Sequence, residues 1–249
     1  MIILNERSWV SDVLNKRELG SKPSETLFRI AKVDLANGYT KTNTIEHLEN
    51  FILMCDPTVS IPKWSKTIGY IVNGAKKSPV VELDGVTITE PEMKVVDSLP
   101  SRQIKRLAFT LLCLAKYHDA ASSNDGHWAN CDDSEVAKLA NIRSSASHRC
   151  LMYNTLYKLG LIDFPKKVDN TNIKVLFVSD GEPVLKVSDF RSLGNQYLMY
   201  HGEPFLECRS CGIITKRIGN NQKYCPNCAP KIELQHRVDS VMRIRAAKK

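Results

Sequence analysis

Apolar residues recur at helical spacing through most of the chain. Leu27, Ile30 and Ala31 stand at i, i+3 and i+4, Leu35 extends the stripe and Gly38 ends it, which predicts an amphipathic helix. A second stripe, Ile45, Leu48, Phe51, Ile52 and Cys55, starts beside Thr44 as cap and stops at Asp56-Pro57, because proline disfavours helical geometry in the residue before it. A third helix follows Pro62. It carries Trp64, Ile68, Ile71 and Val72 on one face and closes at Lys76-Lys77, where basic side chains suit the negative end of the helix dipole. Residues 79–89 alternate around Asp84-Gly85 and predict a short hairpin. A helix from Thr89-Glu90 to Leu99-Pro100 completes this helical region.

The next segment has a different rhythm. Residues 103–118 are apolar around most of a helix, so this helix is expected at the centre of a domain. A short helix follows with Asp133 as cap, Val136, Ala137 and Ala140 facing inward and Ile142 closing the turn. Residues 143–147 supply a turn and the start of another helix, which runs to Gly160. Leu161-Ile162-Asp163-Phe164 alternates as a strand, 166–172 is a polar, basic loop, and 173–178 alternates back. Helix, helix, turn, helix and hairpin is the order of a winged helix. Ser134–Ala140 followed by Leu156–Ile162 resembles the winged helix-turn-helix of bacterial regulators, over residues 101–178. That resemblance implies a helix from Ser145 entering the major groove and a loop from Lys166 to Asn172 lying on a phosphate backbone or a minor groove.

The side chains suit such a role. Arg143, Ser145, Ser147, His148 and Arg149 cluster where the helix begins, so hydroxyls and amides can meet phosphates and arginine can read guanine. Lys166, Lys167 and Lys174 charge the wing.

Eight cysteines divide into two groups. Cys208-x2-Cys211 and Cys225-x2-Cys228, thirteen residues apart, have the spacing of a four-thiolate site for one structural Zn2+, since each CxxC turn aims two sulfurs at one tetrahedral ion. Gly219-Asn220-Asn221 can turn a hairpin between 213–215 and 223–224. The helix from Lys231 to Ala247 carries Ile232, Val238, Val241 and Met242 to cover the module, as a treble clef or as a zinc ribbon with a trailing helix. Its other face presents Arg237, Arg243 and Arg245, which with Lys216 and Arg217 form a second phosphate-binding surface. Cys55, Cys113 and Cys150 are expected as buried free thiols. Cys131, His118 and His127 are too irregularly spaced to favour a metal set.

Charge supports a polyanionic partner. The net charge is +8, and residues 181–249 alone hold 12 basic against 6 acidic side chains. No apolar run approaches the roughly 20 residues that cross a bilayer, and the N-terminus lacks a signal-peptide pattern, so a cytoplasmic protein without a membrane partner is expected. G-x-x-x-x-G-K-[ST], H-E-x-x-H and G-x-S-x-G are all missing, which argues against an enzyme.

The expected fold is mainly α with short β hairpins: a helical domain at 1–99, a winged helix at 100–180, a linker or strand segment at 181–204 and a four-cysteine module with a basic helix at 205–249. Residues 37–77 resemble helical domains found beside primase and replication modules, and the whole layout resembles proteins of phages and mobile elements of Gram-positive bacteria. The resemblance implies a role in transcription, in replication or in blocking a host nucleic-acid machine. Duplex DNA is the expected partner. A host protein or ribonucleoprotein such as a polymerase or an RNA-guided nuclease is the alternative, RNA is a third, and a homodimer is left open.

Overall fold

The amphipathic stripes become helices that bury one face each. The computed structural model describes residues 2–122, 126–165 and 172–246, with side chains to Arg243. The chain divides into two units, residues 2–84 with 120–122, and 85–119 with 126–246.

The first unit contains α1 (Glu6–Lys16), α2 (Pro23–Ala36), α3 (Lys41–Cys55) and α4 (Ile61–Ala75). α2 packs on α4, α3 and α1, and Leu27, Ile30, Leu48, Phe51, Ile52 and Ile68 are wholly buried between them. The cap of α3 is Thr40, whose hydroxyl accepts the Asn43 N–H at 3.2 Å. Thr44, the residue the sequence favoured, is buried one turn further and donates to the Thr40 carbonyl. α1 escapes the sequence pattern because its best-anchored residue is a carboxylate. Glu6 is buried, accepts the Val81 N–H at 2.9 Å and pairs with Lys32 at 2.5 Å.

The second unit runs β1 (Val86–Thr89), α5 (Glu90–Asp97), α6 (Arg102–Ser122), β2 (Trp128–Ala129), α7 (Asp133–Leu139), α8 (Ala146–Lys158), β3 (Ile162–Asp163), β4 (Ile173–Val175), β5 (Pro183–Val187), α9 (Leu193–Tyr200), β6 (Phe205–Glu207), β7 (Ile214–Lys216) and α10 (Ala229–Ala246). It is mostly helical with small antiparallel sheets, in the orders β1-β5, β2-β4-β3 and β6-β7. α6 is central: Leu107, Phe109, Leu111, Leu112 and Leu114 are at most 2% exposed, and each such burial contributes about 1.5–3 kcal/mol. Val136, Ala137, Ala140 and Ile142 are buried as their spacing predicts.

Five local expectations are corrected. The 79–89 hairpin does not form; Val86–Thr89 pairs with Pro183–Val187 instead, because alternation marks a half-buried strand without naming its partner. Likewise 214–216 pairs with 205–207 and not with 223–224. The helix cap before Val136 is Asp132, not Asp133. Residues 183–200 form a strand and a buried helix. The Leu99-Pro100 boundary lies between α5 and α6, both within the second unit.

Glu92 ties this unit together. It is fully buried and accepts from the Thr89 N–H at 2.8 Å, the Ser179 N–H at 3.1 Å and the Lys116 ammonium at 2.8 and 2.9 Å. Among the described residues no helix is long and apolar enough to cross a membrane.

Candidate metal centre and nucleic-acid face

Cys208 follows β6, and the chain reverses through Gly212, whose φ of +74° suits a residue without a side chain. Gly212 donates to the Cys208 carbonyl at 2.8 Å, and Cys208 donates to that of Ile213 at 3.0 Å. The second turn ends as α10 begins: the N–H groups of Cys228 and Ala229 both reach the Cys225 carbonyl, at 3.1 and 3.0 Å. These two turns bring all four sulfurs within 4.8 Å of one another. The Cys211 and Cys225 sulfurs lie 3.8 Å apart, which matches the edge of a tetrahedron with metal–sulfur bonds of about 2.3 Å.

The electrostatics favour thiolate at Cys208 but not at Cys228. At Cys228 the Ser210 hydroxyl lowers the thiol, but the neighbouring Cys211 and Cys225 sulfurs outweigh it and push it up to about 11. Burial alone would push the Cys208 thiol up, but the backbone N–H groups of Cys225, Cys211 and Ser210 outweigh it and hold it at about 6. The Cys225 N–H lies 3.2 Å from the Cys208 sulfur. A four-sulfur cluster of this kind can hold a metal ion, and with all four positions filled from the chain it leaves none open for catalysis.

Polar side chains from α9 and the residues before it hold the centre in place. Arg191 donates to the Cys211 carbonyl at 2.5 Å while bound to Asp189. Ser192 and Asn195 donate to the Ile214 carbonyl at 3.2 and 3.0 Å. Asn195 in turn accepts from Asn141 at 2.9 Å, and the Asn141 carbonyl accepts from Arg106 at 3.1 Å. Asn141 sits between α7 and α8 with φ +52°. A Cβ on Gly194 would run into the Ala140 carbonyl, so α9 abuts the end of α7. The sequence held no signal for this chain of contacts, since its acceptors are mainly backbone carbonyls distant along the sequence. Asn195→Ala removes a buried amide serving two partners, so a loss of about 1–3 kcal/mol is expected. Chemical denaturation should register it, together with faster amide exchange at both Ile142 and Thr215. A change confined to one of those sites would show that Asn195 does not link them.

The predicted contact residues meet different fates. Ser145 caps α8 by accepting the His148 N–H at 3.3 Å. Arg143, Ser145, Ser147 and His148 are all exposed. Arg149 is not presented outward: its guanidinium binds Asp133 at 2.8 and 2.7 Å and the Ser144 carbonyl at 2.7 Å. It therefore braces α8 against α7. Lys174 lies on β4 opposite Asp163 and Trp128, partly buried. Lys166 and Lys167 lie outside the described residues, as does the side chain of Arg245.

Lys216, Arg217 and Arg243 are exposed, and Arg237 is exposed in a pair with Glu233 at 2.5 Å. Of the four apolar residues of α10 expected to cover the metal centre, only Ile232 is half-buried. Val238, Val241 and Met242 are 44%, 47% and 61% exposed; the low polarity of that face is not matched by any element packed against it among the described residues.

The other cysteines stay apart from the centre. Cys113 is fully buried, and burial pushes its thiol far up. Cys55 is half-buried, whereas Cys150 is exposed, contrary to its expected burial. His118, His127 and Cys131 do not converge: His127 bonds to Asp119 at 2.6 Å, and the four-cysteine group is the only cluster of three or more metal-ligating residues among those described. Comparison with family models, with curated proteins and with solved structures gave no match, so function rests on the sites themselves.

Proposed function

We propose that this protein is a non-enzymatic, zinc-containing duplex DNA-binding protein, a regulator or accessory factor of replication or transcription. The observation that carries the reading is topological. The order α6, β2, α7, α8, β3, β4 with its sheet arranged β2-β4-β3 supports a winged-helix reading, in which the last helix would enter the major groove. Support also comes from the exposed start of α8, where Arg143 can read guanine and Ser147 and His148 can meet phosphates. Arg149 takes a positioning role in this scheme. Four sulfur donors within 4.8 Å of one another suit zinc, which they would hold as a structural ion.

Fluorescence anisotropy with random-sequence duplex DNA over a salt series tests the reading. Affinity should fall at least about tenfold between 50 and 200 mM salt, since each neutralised phosphate contributes a slope of roughly −0.9 in log–log form. Arg143→Ala should weaken binding by about tenfold, the value of one good base or phosphate contact. Absence of binding at the lowest salt would refute the proposal.

A second reading, a protein-docking module, is favoured by one observation. Leu151 is 62% exposed on α8, and Tyr157 and Phe164, whose rings lie 5.6 Å apart, are exposed as well. Recovery from host extract of a stoichiometric protein partner that survives nuclease treatment would favour it; recovery of DNA alone would count against it.

A further inference from the structure

The first unit contains a cavity of about 630 Å³ between the end of α2, the start of α3 and the end of α4. That volume lies within the range of about 300–1,000 Å³ typical of small-molecule sites. Its apolar floor comes from Leu35, Val72, Ala75 and Val80. Its polar lining contains Lys32, Lys41 and Lys76 and no carboxylate.

The three lysines are not equivalent. Lys32 is 6% exposed and paired with buried Glu6 at 2.5 Å, so its position is set and its charge is balanced. Lys41 and Lys76 are exposed and make no ion pair or side-chain hydrogen bond among the described residues. Two uncompensated ammonium groups thus share one concavity. Arg7 pairs with Glu82, Lys22 with Glu25, and Arg29 and Lys32 with Glu6. Lys16, Arg17, Lys63, Lys66 and Lys77 are exposed without an ion pair among the described residues, but of the exposed cations only Lys41 and Lys76 line the cavity. Lys41 also opens α3, where the helix dipole adds positive potential. Tyr39, 47% exposed, contributes a ring to the same lining, and Asn73 contributes an amide.

We infer that this cavity binds a small phosphate ester with a flat organic body, of the nucleoside monophosphate class. The phosphate sits between Lys41 and Lys76, and the body lies against the apolar floor and the Tyr39 ring. Charge and shape divide the work: ammonium groups recognise the dianion, while the floor rewards a planar group. All these residues belong to the first unit, so the inference does not depend on the DNA-binding reading.

Calorimetric titration of the full chain with AMP, GMP, CMP and UMP, and with the matching nucleosides, tests it. At least one nucleotide should bind, about tenfold or more tighter than its nucleoside, because charge-assisted hydrogen bonds to phosphate are the strong ones. Lys41→Ala with Lys76→Ala should weaken the nucleotide about tenfold or more and leave nucleoside binding unchanged. The Lys41→Arg, Lys76→Arg pair should retain binding, and both pairs should unfold at the parent temperature because the two ammonium groups are exposed. Failure of all four nucleotides to bind, equal affinity for nucleotide and nucleoside, or binding undiminished in the alanine pair would each overturn the assignment.

Discussion

Stripping metal from the four-cysteine centre is expected to erase amide protection at Gly212, Cys228 and Ala229 while leaving that of α6 intact. The reason lies in how little else holds this module. Between residues 205 and 228 only Leu206, Cys208 and Cys225 are buried, and β6 and β7 are three residues each. Two such strands are marginal without further packing. α10 gains little from tertiary contact beyond half-buried Ile232, because Leu234, Val238, Val241 and Met242 stay exposed, and most helical stability in proteins comes from packing of an apolar face.

On the zinc reading, ligation would supply the missing free energy, since structural zinc contributes about 10–16 kcal/mol in small finger peptides near neutral pH. Metal analysis of the full chain should find one zinc per molecule. Cys208→Ser should abolish zinc retention and reproduce the exchange pattern of the chelated protein. Retention of amide protection after complete removal of metal would contradict a structural role for the ion.

Replacement of Glu92 by alanine should cost about 3–5 kcal/mol, the penalty for stranding one partner of a buried ion pair. Glu92 has no exposed surface, and its carboxylate serves α5, α6 and the segment after β4 at once. Removing it leaves the Lys116 ammonium, 19% exposed, with no counter-charge and leaves two backbone N–H groups without their acceptor. Because folded domains are stable by only about 5–15 kcal/mol, the loss is a large share of the total. Glu92→Gln keeps an acceptor oxygen and should lose less; Glu92→Gln with Lys116→Met should recover part of the difference. Urea denaturation measures all three, and a loss below about 1 kcal/mol for the alanine variant would place the carboxylate outside the set of buried, paired charges.

Some of this architecture was legible in single stretches of chain. The stripes at Leu27–Leu35, Ile45–Cys55 and Trp64–Val72 became α2, α3 and α4, and the apolar circumference of 103–118 became the buried centre of α6. The two CxxC pairs converged, because each turn positions its own sulfurs and the segment between them is only thirteen residues long. Errors began where a partner had to be chosen. The alternation at 86–89 marked a strand correctly but assigned it a neighbour from 79–83 in place of 183–187. The apolar face of α10 suggested cover for the metal centre, yet beyond half-buried Ile232 it has none of the close neighbours that burial requires.

Buried polar residues were the least legible. Glu6 and Glu92 look like surface acids in the sequence, and both are anchors. Arg149 looks like a DNA contact, but Asp133, sixteen residues away, claims it. Nor did the stretch 191–195 announce that it holds the metal centre against the turn between α7 and α8.

Local periodicity and the spacing of cysteines thus determined α2 to α8, α10 and the four clustered thiols, since those depend on interactions within a few turns of chain. Strand pairing, the pairing of buried charges and the exposure of Arg143, Lys41 and Lys76 were decided only by the tertiary structure. Their energies depend on which distant groups arrive to satisfy a hydrogen bond, neutralise a charge or exclude water.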